Sequence, residues 1–337
     1  MQKKIIILCT VILIVVMEAL FALIGALMPG PFTGTVTDAE TNEPIANVSV
    51  QTAQRVKTDE NGAYTLPGYS KSRFVTVTTP AGYWTENYYI PVTKDRETYD
   101  FRLDKSEKTA QADQFLPANF RIQEIGAKGV GAWIEHVRDT VKETDPAFLI
   151  HTGDICYEDG LKQHIKDMNT ENMGVPVRYV IGNHDYVAGK YGEALFESIY
   201  GPVWYSFDVG NVHYVVTPFQ TGADYASGYN KNDRWKWLEN DLANVEPGMK
   251  VVMFNHTKAP SDDYVLSYGL KKLDLKEHDL IAWVYGHYHY NYITETDGVL
   301  NISTGRPDCG GIDSSASGSR LISITANGAG FHPDVLL

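Results

Sequence analysis

The sequence predicts a layered α/β domain that follows a small all-β sandwich and an N-terminal apolar segment. Three observations carry this expectation. Residues 5–28 form one nearly unbroken apolar run. From residue 32 to 103, short β-branched or alternating segments are separated by turn residues, with no helical periodicity. Beyond residue 114, buried-type strands alternate with segments whose apolar residues recur at helical spacing. The 337 residues allow about two domains, at ~150 residues each, with ample chain for a core.

The run from Ile5 to Met28 follows Lys3 and Lys4 and is interrupted only by Glu18, Thr10 and small residues. A bilayer core needs ~20 apolar residues, so the run is long enough to span one as a transmembrane helix. Glu18 near its middle costs about 2.5–3.5 kcal/mol, which the Ile, Leu and Val residues at ~0.3–0.6 kcal/mol each outweigh. The two lysines put the N-terminus on the cytoplasmic side, so the remainder is expected outside the cytoplasm, in the periplasm or at the cell surface. No small-x-small cleavage site follows the run, and Leu8 precedes Cys9 where a lipoprotein needs a small residue. A retained anchor within residues 1–30 is the preferred reading, and a cleaved signal segment that secretes the chain is the alternative. Cys9, Cys156 and Cys309 are the only cysteines, too few for a disulfide framework. Cys156 and Cys309 read as small buried hydrophobes.

Residues 32–104 read as the small sandwich. Thr35-Val36-Thr37, Val48-Ser49-Val50, Ala63 to Leu66 and Phe74 to Val77 are strand-like, and Asn61-Gly62 and Pro67-Gly68 punctuate them. Residues 105–113, KSEKTAQAD, are polar and aperiodic and read as a linker.

In residues 114–337 the period changes. Val130, Trp133, Ile134, Val137 and Val141 share a helical face that Asp145-Pro146 closes. Ala147 to His151 is a buried strand leading into Gly153-Asp154. Leu161, Ile165 and Met168 mark a helix, and Val177 to Ile181 a strand leading into Gly182-Asn183-His184-Asp185. Tyr205 to Phe207 and His213 to Val216 flank Gly210-Asn211 as a hairpin. Trp235, Leu238, Leu242 and Val245 suggest a helix before the strand Val251 to Phe254, which leads into Asn255-His256. Leu280 to Tyr285 leads into Gly286-His287-Tyr288-His289.

The formal net charge is -13 and no Lys/Arg run is present, which argues against nucleic acid as a structural partner. An anionic substrate stays compatible, because a bound metal can supply positive charge locally. All ten histidines lie at or after His136.

Four strands thus end in loops rich in metal-binding side chains, and in open α/β sheets ligands bind beyond the carboxyl ends of strands. Hard and borderline divalent metals take carboxylate, carboxamide and imidazole ligands. One carboxylate, Asp154, can bridge two ions that clamp the attacking and leaving oxygens of a phosphoryl group. His184, beside Asn183, is free to protonate a leaving oxygen, and Asp185 can orient its ring. His151, Tyr157, Tyr186 and Arg306 lie near these loops and can contact a phosphate or leaving group, Arg306 by a bidentate contact.

The ordered set of Gly153-Asp154, Gly182-Asn183-His184-Asp185, His256 and Gly286-His287-Tyr288-His289 resembles the calcineurin-like metallophosphoesterase family. The pattern Gly34-x-Val36-x-Asp38, Pro44-Ile45-x-x-Val48-x-Val50 and Thr58-Asp59-x-x-Gly62-x-Tyr64-x-Leu66 resembles carboxypeptidase regulatory-like sandwiches, in particular the N-terminal module of bacterial exported metallophosphoesterases. The resemblance implies a β-sandwich flanked by helices and two divalent ions, with Mn, Zn or Fe left open. It implies that Asp154 bridges the ions, that Asn183, His256 and His287 complete the second site, that His289 serves the first, and that His184 is the acid or transition-state contact. One departure matters. The family opens with a strand ending Asp-x-His, where this chain has Phe120-Arg121-Ile122-Gln123-Glu124-Ile125-Gly126. Glu124 is the only carboxylate placed to substitute, with a solvated glutamate as the alternative reading; without Asp-x-His the first ion keeps Asp154 and His289 and is expected to bind weakly or not at all.

The leading expectation is therefore metal-dependent hydrolysis of a phosphate ester by an exported, membrane-anchored enzyme. The alternative is a surface binding protein with the same fold and impaired catalysis. A carbohydrate-binding role centred on Tyr83-Trp84 and Tyr88-Tyr89 comes third, since such aromatics ordinarily serve packing.

Overall fold

The computed structural model describes residues 30–68, 72–110, 116–121, 130–155, 157–188, 192–218, 231–288, 292–304, 320–325 and 328–336. The apolar run of residues 5–28 and all three cysteines lie outside them. Among the described residues no helix is long and apolar enough to cross a membrane.

The N-terminal part is two four-stranded sheets face to face. Its strands are β1 Phe32–Asp38, β2 Ser49–Gln51, β3 Arg55–Lys57, β4 Ala63–Leu66, β5 Phe74–Val77, β6 Tyr83–Trp84, β7 Tyr89–Pro91 and β8 Phe101–Lys105. One sheet has the order β4-β1-β8-β6 and the other β3-β2-β5-β7. β-Branched and aliphatic side chains fill the space between them: Val36, Val50, Leu66, Val75 and Leu103 are fully buried. The Asn61-Gly62 turn forms as its residues dictate. Asp59 Oδ1 accepts the N–H groups of Asn61 and Ala63, and Gly62 takes φ +69° where a Cβ would stand 2.5 Å from the Val36 carbonyl oxygen.

The stretch expected to be a linker is structured at its start. Lys105 belongs to β8, and Glu107–Ala110 is a helical turn. Thr109 in that turn is fully buried; its hydroxyl donates to the Tyr83 carbonyl, and its own carbonyl accepts the N–H of Gly210 in the next domain. A polar composition hides this because Thr109 is satisfied by backbone partners rather than by apolar ones.

The second domain is itself a sandwich of two larger sheets. Its strands are β9 Leu116–Arg121, β10 Phe148–His151, β11 Val177–Tyr179, β12 Tyr205–Val209, β13 Val212–Val216, β14 Lys250–Phe254, β15 Val265–Tyr268, β16 Lys271–Asp274, β17 Leu280–Tyr285, β18 Tyr292–Thr296, β19 Val299–Ser303, β20 Arg320–Thr325 and β21 Gly328–Leu336. One sheet has the order β11-β10-β9-β20-β21 and the other β12-β13-β14-β17-β19-β18. β9, β10 and β11 run parallel, as do β13, β14, β17 and β19, so their carboxyl ends gather at one side. Phe148, Phe207, Tyr214 and Phe254 stack in the space between the sheets. The helices Val130–Thr144, Tyr157–Asp167 and Ala194–Tyr200 contribute to the core over the five-stranded sheet, and Lys231–Leu242 with the β15–β16 hairpin to the core over the six-stranded one. The expected helices form over Val130–Thr144, Tyr157–Asp167 and Lys231–Leu242, the last two ending before Met168 and Val245, the expected hairpin is present, and helices flank the sandwich as the resemblance implied.

The two sandwiches share one continuous core, in which Trp84 and Tyr88 pack with Phe207, Tyr205 and Phe148. The aromatics considered for carbohydrate binding are thus seam packing: Trp84 is 7% and Tyr88 5% exposed. Polar pairs lock the same seam. Arg55 and Gln51 meet Asp241, Thr78 meets Ser206, and Arg73 meets Glu193 and Glu197.

Candidate metal centre

Two tight turns bring the site together. After β10 the chain turns through Gly153 at φ +101°, with Asp154 held at φ +59°. A Cβ on Gly153 would stand 2.5 Å from Nδ1 of His256, and one on Gly182 would stand 2.3 Å from both N and Oδ1 of Asp154. Glycine is therefore required at both points for the loops to approach. Asp185 ties them. It is fully buried, and its Oδ2 accepts the N–H of Asp154 at 3.0 Å and the N–H of Gly182 at 2.8 Å. The carboxylate expected to orient His184 thus also holds the two ligand loops in register, a role the motif alone did not show.

Four ligand atoms converge. Asp154 Oδ2 lies 3.0 Å from His256 Nε2. His256 Nε2 lies 3.3 Å from His287 Nδ1, which lies 2.9 Å from Asn183 Oδ1. Ligand atoms of Asp154, His256 and His287 all fall within 4.8 Å of one another. His256 Nδ1 donates to the Thr152 carbonyl at 2.8 Å, which leaves Nε2 as the nitrogen turned to the cluster, where it shares a proton with Asp154 Oδ2 that a cation would displace. This orienting carbonyl is a site component that sequence reading missed, because a backbone acceptor leaves no residue-type signal.

The charge pattern matches the geometry. Burial opposes ionisation of Asp154, but the hydrogen bond and charge of His256, with the His184 N–H on Oδ1 at 3.0 Å, hold its carboxyl below the usual range. Burial likewise opposes a charge on His256, and Asp154 outweighs it, raising the imidazole. Carboxylate and carboxamide oxygens and imidazole nitrogens turned to one point, with protons that an ion can displace, make a donor set suited to a divalent cation of hard or borderline character. The residues present fit such an ion.

Left-handed backbone occurs at the site. Asp154, Tyr157 and His287 are non-glycine residues at φ +59°, +59° and +68°. His184 is half-buried in the 3-10 turn Asn183–Asp185, with its ring 5.5 Å from that of Tyr157, which is 60% exposed. His151 is placed differently from expectation. It is fully buried, accepts the Gly153 N–H on Nδ1 and packs on His164, so it faces the core and not a substrate. In the tyrosine-rich run, Tyr285 is core while Tyr288 is exposed against His287. His289, Glu124 and Arg306 lie outside the described residues.

The family model for the N terminal of calcineurin-like phosphoesterase matches residues 30–106, and that for calcineurin-like phosphoesterase matches residues 126–291. No curated protein matches the sequence. Among solved structures, the chain is similar to a dimetal phosphatase from Danio rerio, with 11% identity, 65% of this chain and 97% of that chain covered, and a TM-score of 0.44. GAP50, the anchor in the inner membrane complex of Plasmodium, gives 15% identity, 64% and 82% coverage and a TM-score of 0.44. Phosphopantetheinyl hydrolase from Mycobacterium tuberculosis gives 18%, 58% and 91%, with a TM-score of 0.34. These likenesses are distant, and the assignment rests on the two family models, which together span more than two thirds of the sequence. The chain belongs to the calcineurin-like phosphoesterase family.

Proposed function

We propose that this protein hydrolyses a phosphate ester with a divalent metal held by Asp154, Asn183, His256 and His287. The convergence of their four ligand atoms is the observation that carries the reading. A bound ion supplies Lewis-acid polarisation of the phosphoryl oxygens and offsets the charge of an anionic substrate on an acidic protein. His184, next to the ligand Asn183, protonates the leaving oxygen, and the exposed ring of Tyr157 borders its approach. Asp185 keeps Asp154 and the Asn183 turn at a fixed separation.

A first metal position would draw on Asp154, His289 and Glu124. Support for Glu124 comes from strand pairing. β9 and β10 are parallel with Arg121 opposite His151, and Glu124 and Asp154 each stand three residues past those partners. The apolar run of residues 5–28 and the lysines before it support export, with the catalytic domain anchored outside the cytoplasm.

The test is turnover of an aryl phosphate monoester and diester by the purified full chain with added Mn or Zn. Activity that collapses in Asp154→Asn and falls in His184→Ala is expected; no turnover with any metal overturns the reading. The second reading, a binding protein with impaired catalysis, is favoured by the missing Asp-x-His. One ion or none per chain, with no turnover, selects it.

A further inference from the structure

β11 leads into the Asn183 turn, and among the described residues it is the edge strand of its sheet, paired with β10. Its outer edge is held by other means. The Tyr205 hydroxyl accepts the Tyr179 N–H at 3.0 Å and donates to the Tyr179 carbonyl at 2.9 Å, standing in for a neighbouring strand. Tyr205 packs at 4.7 Å on Tyr88 of the N-terminal sandwich. Arg178, one residue before Tyr179, is 2% exposed, and its guanidinium lies 3.7 Å from the ring centroid of Trp84 and 4.2 Å from that of Tyr88. Its Nη2 donates to the Thr85 carbonyl at 2.8 Å. A guanidinium taken fully out of water is costly to keep unless its partners hold it. Here the partners are two aromatic faces and a carbonyl from the other domain, so the second domain grips the first through β11, the strand that leads into the Asn183 turn.

We propose that the N-terminal sandwich is a working part of the metal centre, with Arg178 and Tyr205 as positioning residues that fix the free edge of β11 and so set Asn183 against His287. The inference rests on the metal-centre reading and adds a dependence that reading does not require. Outer-layer positioning residues of metal sites alter affinity ~10–100-fold, and Lys cannot reproduce the planar stack and fork of Arg.

The experiment compares Mn binding by calorimetry, and thermal midpoints, for the full-length protein and three variants. Arg178→Lys and Tyr205→Phe loosen the edge of β11, the second keeping its ring. Leu66→Ala opens a cavity in the sandwich interior, away from Arg178, and serves as the destabilised control. Arg178→Lys and Tyr205→Phe are expected to bind Mn at least ~10-fold more weakly, and Leu66→Ala to bind like the wild type despite a lower midpoint. If Arg178→Lys fails to fold, Tyr205→Phe carries the test. Affinity unchanged in Tyr205→Phe, or lost equally in Leu66→Ala, overturns the inference. A wild type that binds no Mn overturns the metal-centre reading instead.

Discussion

His256 and Asp154 face each other across 3.0 Å, Nε2 to Oδ2, while the other imidazole nitrogen is committed to the Thr152 carbonyl. This arrangement fixes the orientation of the ring before any ion arrives. It also means that a cation replaces a proton between the two groups and does not require the side chains to turn.

The first prediction concerns metal linkage. An ion that binds only the folded state at a hundred times its dissociation constant adds about 2.7 kcal/mol of stability. Mn or Zn is therefore expected to raise the thermal midpoint of the wild type and leave that of His256→Ala unchanged. Equal shifts in both proteins would place the ion elsewhere.

Gly182→Ala is predicted to damage the centre without touching a ligand. Its Cβ would stand 2.3 Å from the backbone nitrogen of Asp154, an atom that cannot rotate away, so the loop must shift. Overpacking of this kind costs about 1–3 kcal/mol, and metal affinity is expected to fall with it. Calorimetric titration reads the affinity and a urea midpoint the stability; unchanged values in both would refute the close approach.

Asp185→Ala separates the two roles given to this carboxylate. Loss of Oδ2 leaves the Asp154 and Gly182 N–H groups buried without their acceptor, at about 1–3 kcal/mol each. A clear fall in urea midpoint and in Mn affinity is expected even without substrate. If only the turnover rate fell, orientation of His184 would be its whole function.

Much of this was legible in the sequence, for a physical reason. Buried strands are short apolar runs, and polar side chains that follow them at once must lie beyond their carboxyl ends, so the convergence of Asp154, Asn183, His256 and His287 could be expected from their spacing. What escaped has no local signature. Arg178 sits inside a strand pattern, and its meaning depends on Trp84 and Tyr88, about ninety residues earlier. Thr109 looks like a linker residue because its partners are backbone groups. The pairing of β20 with β9 joins residues some two hundred positions apart, and periodicity reports burial without naming the neighbour.

The same limit hid the ion network that produces the fourth prediction. His213 is buried with Nδ1 2.6 Å from Asp208 Oδ1 and Nε2 2.9 Å from Asp241 Oδ2, and Asp241 also receives Arg55 of the N-terminal sandwich and the Ser206 hydroxyl at 2.7 Å. Burial opposes the imidazolium, but the charges of Asp241 and Asp208 outweigh it and raise His213 from 6.5 to about 9. A folded-state value above the unfolded one stabilises the fold fully below pH 6.5, and that contribution is lost as pH climbs toward 9. Asp241 works in the opposite sense. Burial favours its neutral form, His213 and Arg55 override this and lower it to about 2, and its contribution, present above 3.8, is lost only as pH falls through 2. Stability from this network should therefore be level between pH 4 and 6.5 and decline between 6.5 and 9, by a few kcal/mol at most. The buried tyrosines do not interfere, since burial pushes their ionisation above 10. Urea midpoints measured across this range should slope downward in the wild type and less steeply in His213→Gln, whose remaining slope comes from His256, raised by Asp154. A slope left unchanged by the substitution would assign the titration to another group.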